Sequence, residues 1–404
     1  MPVMLTRRDV ALGLPAAALA PATALAAPVG LKVGVVGAGV FGSWIAHELQ
    51  RAGCAVMLFD QYGPANARAS SGGESRLLRA GYGPDTIYSD WAIRSHRMWL
   101  ETLQAVSHTE CFVQCGALWL SRPGDPYGIA SEHTLKSLNW PIQILDRGEL
   151  RRRYPVIEVP VACEGILELR SGALLARRAV AAVVADFVRK GGSLVQARAS
   201  LDHEALLVNG EHLMCDRIVV SVGPWLPKLL PEVIGRRLTP TRQEIVFFGP
   251  PAGNVNYSPE RLPAWVDFTD SRIPYGFPDL EARGFKMSFD RHGAVVDPDT
   301  EERIVSPQLL AEAREYLAIR FPELARSPLV ESRVCQYENT DSGDFILDWH
   351  PQSRRVFIAG GGSGHGFKHG PAIGEHVAQV LTGQQALIER FKIPEVGATT
   401  REVH

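Results

Sequence analysis

Residues 32–61 read KVGVVGAGVFGSWIAHELQRAGCAVMLFDQ, and the rest of the chain is interpreted outward from them. The apolar run Val33 to Val36 predicts a buried strand. It leads into Gly37-Ala38-Gly39-Val40-Phe41-Gly42, a helix to about Arg51, and a second strand ending at Asp60. Glycines in such a turn divide the work. Gly37 suits the tight turn, Gly39 lets the backbone approach a pyrophosphate, and Gly42 lets the helix sit close on the sheet. The helix start would offer free N–H groups and a positive dipole end to phosphate. Asp60 follows at roughly 20 residues, where a carboxylate can take a ribose hydroxyl. Glycines also punctuate ordinary turns, but here strand, helix and terminal acid occur together, which predicts dinucleotide binding. The stretch does not separate NAD from FAD.

Upstream, Thr6-Arg7-Arg8-Asp9-Val10 precedes an Ala/Leu-rich run, 11–20, and then Ala24-Leu25-Ala26. That is the pattern of a twin-arginine export signal over residues 1–27, with a small-residue cleavage site. Pro15 and Pro21 interrupt the run, which falls short of the ~20 apolar residues of a spanning helix. The expected location is the periplasm, with no membrane insertion.

The chain has 404 residues, 46% hydrophobic, and a formal net charge of −2, enough material for one large or two moderate domains. A nearly neutral chain without a basic block argues against nucleic acid as a partner. Cysteines 54, 111, 115, 163, 215 and 335 are scattered. They make neither a disulfide framework nor a zinc spacing, and no metal site is expected. Cys111 and Cys115 lie in a strand-like run, where four residues span about 13 Å, too far for a disulfide.

Along the chain, a polar loop (63–74) leads into Ser75-Arg76-Leu77-Leu78-Arg79. On a helical turn Arg76 and Arg79 would share a face. Tyr88, Trp91, Ser95, Met98 and Trp99 form one stripe of a helix from Ile87 to Leu103. A strand over 116–121 and short helices to about Tyr154 follow. Strand, helix (176–189) and strand recur from Ile166, then a hairpin turning at Asn209-Gly210 and a strand over 217–222. Residues 237–290 are strand-rich, 307–319 helical, and 329–336 a strand. A strand over 356–359, the glycines 360–366 and a helix over 371–381 close the pattern. Glycine-rich strand-to-helix junctions at both ends predict an α/β fold with a Rossmann-like cofactor domain assembled from discontinuous segments (31–88, 161–235 and 338–392). Residues 89–160 and 236–337 would form a β-rich substrate domain, with 393–404 as a tail.

Several motifs occur in an order that resembles the FAD-dependent amino-acid oxidase family. They are GAGVFG (37–42), SSGGESRLLRAGYG (70–83), SVGPWLPKLL (221–230), YGFPDLEARGFKM (275–287), DPDT (297–300), CQYENTDSGDFILD (335–348) and GGSGHGFKHGP (361–371). Within the family the chain is similar to the sarcosine, N-methyltryptophan and pipecolate oxidase branch. The resemblance implies an FAD domain with Ser71, Arg76 and Gly364 at the cofactor. Cys335, which alone reads as a buried thiol at a strand end, aligns with the cysteine that bonds covalently to the flavin ring. Arg79 and Lys368 align with the two cations that hold a substrate carboxylate. By alternation with Phe285, Met287 and Phe289, Lys286 belongs on a solvated face; the resemblance instead puts it over the flavin, where it activates oxygen. His365 and Tyr337 are candidate groups for tuning the flavin or walling the substrate, and Trp225 reads as packing. Two positions depart from the branch. Gly72 and Asp290 each stand where a histidine is usual, which bears on flavin attachment and on sarcosine as substrate.

The activity so implied is oxidation of the C–N bond of a secondary (N-methyl or cyclic) amino acid to an imine, with O2 reduced to H2O2, by a monomer. Alternatives are a periplasmic FAD-dependent dehydrogenase with another electron acceptor, a fructosyl-amino-acid oxidase, a nicotinamide dehydrogenase, and a non-catalytic exported binding protein on the same fold.

Overall fold

The computed structural model describes residues 30–396. The export-signal reading over 1–27 and the end of the tail, from 397, lie outside the described residues. Near-continuous apolar runs such as Lys32–Val36, Ala55–Asp60, Arg217–Val220 and Val356–Gly360 suit a sheet covered on both faces. They build a six-stranded sheet, ordered 346–349, 356–360, 217–220, 32–36, 55–60, 193–196. Its pairs are parallel except the hairpin at the 346–349 edge. Strands from both ends and the middle of the chain interleave, so the cofactor layer is discontinuous in sequence.

The helices Val40–Arg51, Ala176–Arg189 and Gly370–Leu381 pack on this sheet. Thr86–Ala105 joins them: Trp99 packs edge-on to Trp44 at 4.9 Å between centroids and stacks on Phe367 at 5.7 Å. The stripe predicted for this helix is buried throughout. That apolar stripe takes the helix into the cofactor layer's core, not into the substrate layer where its sequence position put it.

The second layer is an eight-stranded sheet ordered 329–339, 239–248, 285–289, 274–277, 264–267, 117–121, 164–168, 142–145. Its pairs are antiparallel except 264–267 against 117–121. The helix Pro307–Arg320 covers it, with Trp265 stacked on Phe285 and Tyr316. Two segments differ from expectation. Glu164–Glu168 pairs within this sheet, outside the cofactor layer, and Ile142–Leu145 is a strand where only helices were read.

The expected helical turn at 75–79 is also a strand. Arg76–Leu78 pairs with Gly172–Leu174, which in turn pairs with Phe112–Val113. Pairing supplies the backbone with partners that an isolated turn lacks. Arg76 starts this strand and Arg79 lies just past its end, so the two do not share a helical face, although both line the same cavity. Among the described residues no helix is long and apolar enough to cross a membrane.

Candidate active site

The glycine turn after the first strand behaves as three distinct positions. Gly37 has φ of +102°, and a Cβ there would lie 2.1 Å from the Ser221 carbonyl oxygen. At Gly42 a Cβ would overlap the Gly37 carbonyl, so the helix can cross the strand only without a side chain. Gly39 is different. Its Cβ would meet only the Ser71 hydroxyl, at 3.5 Å, so the protein's own packing does not demand a glycine there.

That open space is part of a cleft of about 470 Å³ lined by Gly37, Gly39, Asp60, Ser70, Ser71, Arg76, Glu338 and Gly364 among others. No side chain caps the helix that starts beside it. The buried hydroxyls of Ser70 and Ser71 have no hydrogen-bond partner. Free backbone donors, idle hydroxyls and a missing Cβ are what a pyrophosphate requires, so the residues fit a bound dinucleotide. Asp60 lines the same cleft. It accepts from Ala38 N–H and Tyr62 N–H, each at 2.8 Å, and burial pushes its carboxyl above the usual range. At the mouth, Trp225 donates to Asp299 at 2.7 Å, beyond the packing role read for it, and Lys228 pairs with Asp297 and Asp299.

A second cavity of about 710 Å³ opens between the layers. It shares Arg76, Tyr337, Gly364 and Phe367 with the cofactor cleft, so a ring system placed at this wall would face both. Arg79, Lys286, Cys335, Tyr337, His365 and Lys368, separated widely in sequence, all line it.

Arg76 donates to the carbonyls of Ser70 and Ser75 at 2.6 and 2.9 Å, and its guanidinium stands 3.4 Å from Cys335 Sγ. Positive charge thus lies against the thiol at the shared wall. At Gly72 a Cβ would lie 2.3 Å from the Asn66 carbonyl. The loop itself fills the place where a histidine is usual.

Lys286 is not solvated, as alternation suggested. It is 2% exposed, its Nζ donates to Ser75 O and Oγ at 2.9 and 3.0 Å, and it lies 4.5 Å from the Phe277 ring centre. Burial, and then the charge of Arg76, hold its pKa well below the usual lysine value. Both faces of its strand are covered, so alternation could not tell inside from outside.

Arg79 donates to the Gly81 carbonyl between the rings of Tyr82 and Trp119, 4.5 and 5.0 Å from their centres. Lys368 Nζ reaches the Tyr82 hydroxyl at 2.7 Å and the His365 carbonyl at 3.0 Å. Burial, and next the charge of Arg79, depress its pKa strongly. Two buried cations therefore converge on one tyrosine.

Sequence reading passed over Tyr82, whose hydrogen bonds fix the local tautomers. His365 Nε2 must donate to the Gly343 carbonyl at 2.9 Å, so the neutral ring accepts from Tyr82 O–H at Nδ1, 3.2 Å. The tyrosine oxygen then accepts from Lys368 and from His369 Nε2, at 2.8 Å. Burial, then the charge of Lys368, keeps both histidines well below the usual histidine pKa. Glu168 was also missed. Fully buried, it accepts from Ala80 N–H, Gly81 N–H, Trp140 Nε1 and Ser171 Oγ, and so holds the loop that carries Arg79. Tyr82 falls within the 70–83 motif without standing out there, and no motif includes Glu168; their neighbours in space give both their meaning.

A dinucleotide-sized cleft opening onto a buried cavity is an arrangement that suits a nucleotide-dependent oxidoreductase. The particular family follows from comparison. A model described as FAD dependent oxidoreductase (DAO) matches residues 32–380, and the chain belongs to that family. It is an FAD-dependent oxidoreductase. The monomeric sarcosine oxidase of Bacillus sp. (strain B-0618) is 30% identical over 363 residues, 87% of this chain and 92% of that protein. The N-methyl-L-tryptophan oxidase of Yersinia pestis (strain Pestoides F) is 25% identical, over 85% of this chain and 93% of that one. Among solved structures, the L-proline dehydrogenase from P. horikoshii shares the fold with a TM-score of 0.78 at 17% identity, covering 90% of this chain and 97% of that one.

Proposed function

We propose that this protein oxidises the C–N bond of secondary amino acids, N-methyl or cyclic, as its sarcosine and N-methyltryptophan oxidase relatives are named for doing. The observation that carries the reading is the convergence of Arg79 and Lys368 on Tyr82, in a cavity that shares a wall with the cofactor cleft. The cations take the substrate carboxylate, and so hold the carbon beside nitrogen at the shared wall. FAD supplies the two-electron acceptor: the substrate loses a hydride equivalent and a proton, leaving an imine that water hydrolyses. O2 then takes the two electrons to give H2O2. Lys286 serves that second half, because a fixed ammonium stabilises the negative charge that O2 gains. Burial weakens its hold on the proton, and negative charge arriving beside it strengthens that hold again.

Cys335 Sγ, beside Arg76 at the shared wall, is the proposed point of covalent attachment to the flavin. The residues before 28 direct the chain to the periplasm, where it acts as a monomer.

Acid precipitation tests the attachment. Flavin colour should stay with the pellet in the wild type and move to the supernatant in Cys335→Ala; colour released from the wild type overturns the link. For the reaction, H2O2 should appear with sarcosine, N-methyl amino acids or pipecolate. In Lys286→Met the reaction of the reduced enzyme with O2 should slow by roughly 10²–10³-fold, while anaerobic reduction by substrate changes only a few-fold. An unchanged oxygen rate would remove Lys286 from that role, whereas a wild type that turns over with an artificial acceptor but not with O2, unaffected by Lys286→Met, would be a dehydrogenase.

A further inference from the structure

Lys286, on the strand Phe285–Phe289, and Asp290, just past its end, both line the substrate cavity, while Ser288 between them donates to the Glu244 carbonyl at 2.6 Å. Four residues along a strand place Asp290 about 13 Å from Lys286, a substrate's length beyond the shared wall. Its own N–H is spent on the Ile273 carbonyl at 2.9 Å. Among the described residues its carboxylate accepts no hydrogen bond and forms no ion pair. Of the cations around it, Arg79 and Lys368 feel its charge across the cavity without touching it, and the two beside it are engaged elsewhere. Arg291 pairs with Glu312 at 2.6 Å and Arg272 with Asp270 at 2.7 Å, both lying over the Phe289 ring. His292 lines the rim and is exposed.

A second idle acceptor belongs to the same region. Asn339 is 5% exposed and donates through Nδ2 to Thr241 Oγ1 at 2.7 Å, while its Oδ1 has no partner. The strand Thr239–Phe248 ties the two together. Thr241 holds Asn339, and Gln243, the next residue on that face, donates to the Arg291 carbonyl at 2.7 Å, adjacent to Asp290. An unpaired carboxylate and an unpaired amide oxygen in one wall await N–H donors, and the carboxylate asks for a positive charge.

We propose that the Asp290–Asn339 end of the cavity is a subsite for a cationic side-chain group, an ammonium or guanidinium, so that preferred substrates are secondary amino acids with basic side chains. The proposal rests on the oxidase reading and deepens it. The cavity then offers both signs of charge: Arg79 and Lys368 for the carboxylate, and Asp290, in the same cavity and within electrostatic reach of both, for the side-chain cation. Its volume of about 710 Å³ leaves room for such a chain beyond the two-carbon body of sarcosine, since water-sized groups occupy about 30 Å³ each.

The test compares N-methyl-L-lysine with N-methyl-L-norleucine, which differ by one terminal ammonium. In the wild type kcat/KM should favour the lysine compound by about 10–100-fold, the worth of a charged hydrogen bond. Asp290→Asn should bring that ratio close to one, and Asp290→Glu should keep most of it. Asn339→Leu, a second route should Asp290→Asn not fold, should lower the ratio by a smaller factor. A wild-type ratio near one, or the same ratio in Asp290→Asn, overturns the subsite. Equal loss on both compounds in Asp290→Asn also overturns it, because Asp290 would then only balance the cavity's cations. Calorimetric titration of the flavin-loaded protein with the same pair reads the preference without turnover. If neither compound is oxidised but N-methyl-L-lysine binds more tightly, the oxidase reading fails and the subsite stands.

Discussion

The cofactor cleft and the substrate cavity share a wall and are made in opposite ways. The cleft forms where backbones come close and side chains are missing, at Gly37, Gly39 and Gly42 and at the uncapped helix start beside them. The cavity forms where charged and polar side chains from separate strands and loops are carried into the interior. They are held there by one another, as Lys368 is by Tyr82 and Lys286 by Ser75. The difference is one of tolerance. A backbone-built site fails when an atom is added, whereas a site built of side chains fails when a charge is removed.

The sharpest break in that comparison is a single methyl group placed at two neighbouring glycines. Gly42→Ala puts a Cβ 1.8 Å from the Gly37 carbonyl and should abolish flavin-loaded, soluble protein. Gly39→Ala meets only Ser71 Oγ at 3.5 Å. Its fold should change by about 1 kcal/mol or less, while the ratio of flavin to protein absorbance falls at least ~10-fold. Normal flavin content in Gly39→Ala would show that the open space beside Ser71 does not hold the pyrophosphate.

A smaller effect separates the two faces of the strand Leu329–Asn339. Tyr337 faces the substrate cavity, whereas Glu338 is buried against Gly223, Gly360 and Gly362 in the cofactor layer, with Oε2 unpartnered. Burial pushes its carboxyl up to about 7. The folded form therefore holds a proton that the unfolded chain releases above its ordinary pKa near 4.5. This group's contribution to stability is complete below about 4.5, declines as pH rises toward 7, and is constant above. Glu338→Gln should match the wild type at low pH and exceed it at pH 7 and above by on the order of 3 kcal/mol. Melting curves across that range check this; an offset that does not depend on pH would show that the carboxyl is already ionised in the fold.

The smallest expected effect is at the cleft's mouth. Lys228 is 43% exposed where it pairs with Asp297 and Asp299. Lys228→Ala should cost at most about 1 kcal/mol, and the difference should vanish near 1 M salt, where charges are screened within about 3 Å. A larger, salt-resistant loss would mean that the pair closes the cleft in a way its exposure does not suggest.

How far each region was legible follows from how it is built. The βαβ turn is contiguous, and Gly37 and Gly42 meet the turn and packing demands read for them. Within the other cavity the expectations that failed were local readings of tertiary facts. Spacing put Arg76 and Arg79 on one helical face, but 76–78 pairs with Gly172–Leu174 as a strand, and the two arginines reach the same cavity from a strand and from the loop after it. Alternation put Lys286 in solvent, but both faces of its strand are covered. Glu168 carried no signal, and Tyr82 only its place in the 70–83 motif, since a buried acid and a tyrosine acquire meaning from the groups that surround them.

The sequence by itself therefore determined the parallel cofactor layer, its glycine turns and the kind of molecule they bind, because backbone conformation and periodicity are local properties of the chain. Only the tertiary structure decided which charges face the substrate and which histidine nitrogens carry protons. It also decided that Asp290 lines the cavity without an ion pair or hydrogen bond to its carboxylate among the described residues. Those depend on distances between residues that the chain separates by tens to hundreds of positions, and no local pattern records them.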